Sequence, residues 1–392
     1  MLQKPFKIRP RHTESFLAIS NDKNPAHNDP TYCSKTPFGY PIAYGISGLI
    51  LAISIWIEKR SILLKKGKVT FHKPIYENQD YELVIQESLK ESKVTLTVSR
   101  KATRYLSANL TFTDVASVCN SFKELEIIKS KDVAKKTSMI NYKIEEQQYF
   151  EFLRNYKLNE NQISHAQLTF LTWTSYFVGM ESPGTQALYT KLCFEMNNSQ
   201  GGKINLNKID QHKTLGRYLI EGTGSFINNF SITAFKRPLP VSFDSQSIEK
   251  RMKNISFPKR KNCLVIGGAR GFGSVLVKSL VTLNNNTSFI FRSNELEANA
   301  IKKDLDTIYD KEVTAHKCDL SDTNACLNLK LTFERYDYIF ISAVPPIRTL
   351  MFDELGTKDF LSEFNLFSTV FTNSLKTHTY SSIITHCQQK AS

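Results

Sequence analysis

Residues 20–48 read SNDKNPAHNDPTYCSKTPFGYPIAYGISG. The stretch begins as a polar loop and runs into a long apolar segment. In the loop, Asp22 and His27 stand five positions apart, with Asn24 and Pro25 between them. A carboxyl and an imidazole rest in different protonation states near neutral pH, so one can accept a proton while the other donates or relays it. Pro25 stiffens the loop, and Asn24 can anchor the backbone or orient the imidazole. Taken alone, the same residues would make a capped polar turn with a solvated histidine. The helix that starts near Ile42, Ala43, Tyr44 and Gly45 adds a second element. A helix N-terminus presents free N–H groups, and a glycine there lets a ligand oxygen come close to the backbone. That pairing suits a carbonyl that becomes enolate-like.

From Thr36 to Ile57 there is no charged residue. Such a run is about long enough to span a bilayer, but its first half carries Pro, Gly and Ser and polar sequence follows at once, as in the buried helix of a globular core. After it, KVTFHKPIY, DYELVIQESL, KVTLTVSRKA and SANLTFTDV are short strand-like runs, over 68–117, divided by charged or turn residues. The order then returns. ISHAQLTFLTWTSYFVGM reads as a second long apolar helix, followed by a turn at Pro183 and Gly184 and by the strand-like runs ALYTKLCFEM, GRYLIEGTG and NNFSITAFKRP. A helix followed by strands, twice over, predicts two copies of one α+β unit packed together. The charged stretch over 122–136 reads as their connector.

The composition, 41% hydrophobic with 26 Phe and 16 Tyr, is that of a folded globular chain. The N-terminus has no apolar signal core. Seven scattered cysteines without a CxxC pair argue for reduced thiols in a cytoplasmic protein, and against a disulfide framework or a zinc site. Of the net charge of +14, residues 257–392 contribute only +2. The basic front part favours an anionic partner. Nucleic acid, the phosphates of coenzyme A and an acidic carrier protein all satisfy that condition, as does a plain solvated face.

The loop and the helix start together resemble the signature of the MaoC-like (R)-specific enoyl hydratases and dehydratases, which have the hot-dog fold. In that family a D-x-N-P-x-H loop supplies the Asp/His pair, and an aromatic-Gly step leads into a P-I-A-H-G helix start. The resemblance implies a sheet wrapped around the long helix. It also implies reversible addition of water across the 2,3 double bond of an acyl thioester. Asp22 and His27 would handle the water and the α-proton, Asn24 would orient His27, and the Gly45 amide would help polarise the thioester carbonyl. Two positions depart from the pattern. Asn21 stands where the family has a small residue, and Tyr44 where it has His. The second copy has no such loop, and His165, on an apolar helix, reads as a core histidine. The expectation is a double hot dog with one working site.

Around 240–260 the texture turns polar and basic, as in a linker. KNCLVIGGARGFGSVLVKSLV then reads as strand, glycine turn and helix. The glycines allow a tight turn and let a pyrophosphate meet N–H groups at the helix start. In this setting Gly267, Arg270, Gly271 and Gly273 resemble the loop of short-chain dehydrogenases. The resemblance extends to Asp319-Leu320 after the third strand, to Ser342-Ala343-Val344 in place of N-A-G, and to Asn365. The second strand ends at Arg292 with no acid there, which favours NADP over NAD. The family's Y-x-x-x-K pair is not found, since Tyr380 is followed by SSII. The expectation is therefore a C-terminally truncated nucleotide fold without competent reductase chemistry.

The full expectation is an α+β double hot dog followed by an α/β Rossmann-like domain of short-chain dehydrogenase type. The first hot-dog unit covers 1–121, the degenerate second unit 122–245, a linker 246–258 and the partial nucleotide domain 259–392. The activity expected is that of a hydro-lyase on 3-hydroxyacyl or 2-enoyl thioesters of coenzyme A or an acyl carrier protein, in fatty-acid or polyketide-type metabolism. Dehydration needs no cofactor; NADP would belong to the C-terminal domain. No nucleic acid, metal or membrane span is expected, and a homodimer is open. Two rivals remain at this point: an NADP-dependent 3-ketoacyl reductase with a binding-only hot-dog part, and a non-catalytic acyl-binding scaffold.

Overall fold

The computed structural model describes residues 1–343 and the strand 382–385, apart from 35, 37, 119–123, 135–136, 138–139, 198, 200, 239–242, 293–294, 310–312 and 321. Val344, Asn365 and Tyr380 therefore lie outside the described residues. The chain divides into two compact units, Met1–Leu239 and Pro240–Ser392.

The first unit begins with β1 (Leu2–Phe6), α1 (Pro10–Ser20), α2 (Pro30–Ser34) and α3 (Gly45–Ile57). A meander follows: β2 (Ser61–Phe71), β3 (Tyr81–Ser88), β4 (Lys93–Arg100) and β5 (Thr103–Val115). Next come β6 (Leu125–Lys129), α4 (Lys131–Ala134), β7 (Asn141–Tyr142), α5 (Glu146–Asn155), α6 (His165–Tyr176) and a π-helical turn, Phe177–Glu181. A second meander closes the unit: β8 (Ala187–Met196), β9 (Lys203–His212), β10 (Arg217–Gly224) and β11 (Ile227–Lys236). Every strand joins one sheet in the order β1-β3-β4-β5-β2-β8-β11-β10-β9-β6-β7. The order mirrors itself about the β2–β8 pair, so the repeat read in the sequence is present as two meanders side by side. The stretch read as a connector carries β6, which pairs parallel with β9. β9 itself (KINLNKIDQH) escapes a pattern reading because six of its ten side chains are polar and exposed.

Eleven of the thirteen residues of α3 are buried, on all faces of the helix, in the apolar core of this unit. Thirteen residues rise about 20 Å, short of a bilayer's hydrocarbon core. Among the described residues no helix is long and apolar enough to cross a membrane. α3 is a central core helix because it lies along the meander, against β2, β4 and β5. Ser47 on α3 meets the Tyr156 hydroxyl at 2.6 Å, and that hydroxyl also donates to the His12 carbonyl (3.1 Å), which ties α3 to the α1 and α5 region.

The halves meet at β2 and β8, antiparallel, with Gly67 opposite Phe194. A side chain at 67 would overlap the buried Phe194 ring. Gln167 on α6 strengthens the junction. Its side-chain amide accepts from Leu64 N–H (3.1 Å) and donates to Leu64 C=O (2.8 Å), where a bulge interrupts the β2–β5 ladder.

In the second unit, α7 (Ser245–Met252) precedes β12 (Asn262–Ile266), α8 (Gly271–Thr282), β13 (Asn286–Phe291), α9 (Glu295–Tyr309), β14 (Thr314–Lys317), α10 (Thr323–Leu327), β15 (Tyr338–Ile341) and β16 (Ser382–Thr385). All five strands are parallel, in the order β14-β13-β12-β15-β16. The stretch expected as a linker, 246–258, is corrected in its first part. α7 is capped by Asp244, and Ser245 donates to Asp304 on α9 (2.7 Å). A polar, basic composition is shared by linkers and by short helices that pack along one stripe only, and here the stripe is anchored by Ile248.

Replacing Gly67 by alanine would force the Phe194 ring out of a packed position. The expected loss is about 1–3 kcal/mol of unfolding free energy in urea; a loss below about 0.5 kcal/mol would mean that the ring can step aside.

Candidate active site

α1 ends at Asn21, whose φ of 54° and ψ of 22° put it in the left-handed region. Asparagine is one of the few non-glycine residues that enter this region readily, so the departure at 21 fits the turn it occupies. The turn drops Asp22 into the interior at 2% exposure. Its Oδ1 accepts the Asn24 N–H (3.2 Å), and its Oδ2 accepts the Ser175 hydroxyl of α6 (2.9 Å). The π-helical turn after α6 brings Gly179 against the same carboxylate, where any Cβ would overlap it. Tyr142 donates to the carbonyls of Ile19 (3.0 Å) and Ser20 (3.3 Å) and so fixes the end of α1 from below. Burial raises the Asp22 pKa from 3.8 to about 7, against the opposing pull of the Ser175 and Asn24 hydrogen bonds.

His27 sits half-buried on the far side of the loop. Its Nδ1–H donates to the Ile42 carbonyl at 2.7 Å. A carbonyl can only accept, so the neutral ring carries its proton on Nδ1 and leaves Nε2 as the acceptor. Removal from water lowers the His27 pKa to about 4, with a further push from Arg237, so the ring is neutral at pH 7. Asn24 does not reach the imidazole with its side chain. Its Oδ1 accepts the Ala26 N–H (3.1 Å) and its main-chain carbonyl accepts the His27 N–H (3.1 Å). The ring is oriented instead by Ile42 and by Tyr44.

Tyr44 is the joint between the two candidate groups. Its hydroxyl donates to the Asp22 carbonyl at 2.7 Å, and its ring lies 3.8 Å from the His27 ring, centroid to centroid. Directly after it, Gly45 opens α3, and the first N–H groups of a helix have no partner within it. The Cβ side of Gly45 is covered by Phe71, whose ring would be 2.8 Å from an added Cβ. This glycine is required by the contact with Phe71. His165, read as a core residue, is buried beside the Tyr149 ring. Ser175, Gly179, Tyr142 and Phe71 were not singled out in the sequence, since no local spacing connects them to the loop.

In the second unit, Gly267 has φ 85° and would place a Cβ 2.6 Å from the Ala343 nitrogen. A Cβ at 268 would come within 2.5 Å of Phe289, and one at 273 would run into the Gly267 carbonyl. These three glycines are demanded by the packing of strand, turn and helix. Gly271, at φ 55° on the first residue of α8, faces open space. Arg270, Arg292 and Asp319 are exposed. Among the described residues there is no His/Cys/Asp/Glu cluster that could hold a metal ion.

Residues 1–109 match the family model described as MaoC like domain. The first 109 residues are a MaoC-like domain. The match contains both the loop from Asp22 to His27 and the start of α3. No curated protein matches the chain. Among solved structures, the chain is similar over part of its length to a short-chain dehydrogenase from Burkholderia cenocepacia J2315 in complex with NADP (19% identity, 32% of this chain, 55% of that one, TM-score 0.29). It is similar on the same scale to one from Shigella flexneri (12% identity, 32% and 55%, TM-score 0.29). A mutant short-chain dehydrogenase/reductase from Serratia marcescens gives 20% identity, 32% and 55%, and a TM-score of 0.29. The chain thus spans about half the length of each of these structures.

The raised pKa of Asp22 makes a signed prediction. Between about pH 4 and pH 7 the folded state holds a proton on Asp22 that the unfolded state has released. This contribution to stability is therefore complete at low pH and is lost as pH rises through about 7. Asp22→Asn removes the titration and keeps the shape, while the histidines, which titrate in the opposite sense, are common to both proteins. The stability of the variant relative to the parent should climb from pH 4 to pH 7.5 by an amount on the order of 4 kcal/mol. Urea denaturation at four pH values would show it, and a flat difference would mean an ordinary carboxylate.

Proposed function

We propose that the first unit is a hydro-lyase that adds water reversibly to 2-enoyl thioesters, or removes it from 3-hydroxyacyl thioesters, of coenzyme A or an acyl carrier protein. The observation that carries this reading is the Asp/His pair joined through one buried tyrosine, with the Tyr44 hydroxyl bonded to the Asp22 carbonyl and its ring packed at a tilt against that of His27. Hydration takes one proton from water and places one on the α-carbon. His27 offers a neutral Nε2 as acceptor, and Asp22, titrating near pH 7, can hold or release the other proton in either direction. The first N–H groups of α3, which have no partner within the helix, are suited to an oxyanion on the thioester carbonyl.

In this reading the two meanders form a double hot dog in which only the first half works on substrate. The second half, without a D-x-N-P-x-H loop, supplies Ser175 and Gly179 to the Asp22 carboxylate. Fatty-acid or polyketide-type assembly is the setting that uses such thioesters. For the second unit we propose NADP binding. The open N-terminus of α8 at Gly271 would take the pyrophosphate, with Arg270 at its rim, and Arg292 would face the 2′-phosphate. Asp319 would lie toward the adenine.

With purified protein, enone absorbance of crotonyl-CoA should fall, and Asp22→Asn or His27→Ala should reduce the rate at least about a thousandfold. NADPH oxidation with a 3-ketoacyl thioester and no hydration would favour a reductase. Neither signal would favour a binding scaffold. The pH–rate profile should carry a limb near pH 7 from Asp22. Ser175→Ala removes a hydrogen bond that steadies the carboxylate, so that limb should move to higher pH. A limb that stays in place would remove Asp22 from the proton transfer.

A further inference from the structure

β11 ends at Lys236, and the next residue, Arg237, reaches the segment between the Asp/His loop and α3. Its backbone N–H donates to Gln186 C=O (3.0 Å). Nη2 donates to the Tyr32 hydroxyl at 3.1 Å, the Tyr32 hydroxyl donates to Thr185 C=O at 3.3 Å, and the guanidinium carbon lies 4.9 Å from the centre of the Phe38 ring. Nε is shut off from water without an acceptor. Among the described residues no carboxylate pairs with this cation. Asp29, the acid of the neighbouring turn, spends Oδ1 on the Tyr32 N–H (2.9 Å).

Every partner of Arg237 is therefore neutral. A tether between the halves would be served equally by an uncharged side chain, whereas a cation drawn partly out of water without a counter-charge is costly. Burial sets the low basicity of His27 and the guanidinium adds to it, while at Cys33 burial pushes the thiol up to about 11 and the guanidinium opposes the rise. Its contacts with Tyr32 and Phe38 hold the charge on the segment that joins the Asp/His loop to α3. A guanidinium is a planar fork of donors matched to phosphate and carboxylate oxygens.

We propose that Arg237 is an oxyanion subsite beside the segment that joins the Asp/His loop to α3, taking an anionic group of the substrate, either a phosphate of the carrier arm or a carboxylate on the acyl chain. The inference rests on the acyl-thioester reading of the same site.

Calorimetric binding of three saturated, unreactive thioesters separates the sources. Butyryl-CoA has phosphates only, glutaryl-CoA has phosphates and an acyl carboxylate, and butyryl-pantetheine has neither. For a phosphate, Arg237→Gln should weaken both CoA thioesters about tenfold or more and leave butyryl-pantetheine unchanged. For a carboxylate, glutaryl-CoA alone should lose that factor. Arg237→Lys, which keeps the charge and most of the packing, should show the same selectivity with a smaller loss, and it stands in should the glutamine variant melt early. An equal loss on all three ligands, or none on any, overturns the proposal. Binding is read without turnover. A parent protein that binds these thioesters but hydrates no crotonyl-CoA therefore refutes the lyase and leaves the subsite standing, whereas one that binds none of the three refutes both.

Discussion

A single buried carboxylate organises the first unit. Asp22 comes from a loop in one half of the sheet, and the groups that close over it, Ser175 and Gly179, come from the helix and π-helical turn of the other half, 153 and 157 positions away. Neither half could bury this group alone. Its high pKa is therefore a property of the assembled pair, set by how completely the second helix end excludes water, with one hydroxyl and one amide limiting the rise. The same closure explains why position 179 has no side chain. Space that elsewhere would hold a methyl group is taken by carboxylate oxygen.

The local half of the candidate site can be read in the sequence, because its geometry is written in consecutive residues. The D-x-N-P-x-H spacing sets an Asx-type turn, Pro25 restricts it, and the apolar run that follows can only be a core helix once strands are seen to follow it. The residues that lie across the fold were not legible. Ser175 sits in LTFLTWTSY, a hydroxyl-rich stretch whose other threonines bond their own helix carbonyls at Thr172 and Thr174, and nothing in the pattern marks one hydroxyl as pointing elsewhere. Tyr44 reads as a departure from a family pattern and turns out to hold both ends of the loop. For Asn24 the residues left two roles open, anchoring the backbone or orienting the imidazole, and the family resemblance implied the second; a side chain that short satisfies the nearest N–H, that of Ala26.

The glycines of the second unit's turn do not all answer to the same constraint. Three of its glycines answer to crowding by Phe289, Ala343 and the turn's own carbonyl, and would be needed in any strand–turn–helix packed this tightly. Only Gly271 combines a left-handed backbone with empty surroundings, so only there does the glycine leave room for something other than protein. The pattern reports the turn; what the turn binds is a question for the exposed groups around it.

The β2–β8 pairing has a consequence for any attempt to divide the chain. Cutting between the meanders would leave two long strands with bare amide and carbonyl rows, one on each fragment, and such rows recruit whatever strand is at hand. Co-expressed fragments would meet at those rows with the right register, guided by the notch at Gly67 and the ring of Phe194. Fragments made singly would turn to copies of themselves, and insolubility would be the natural outcome.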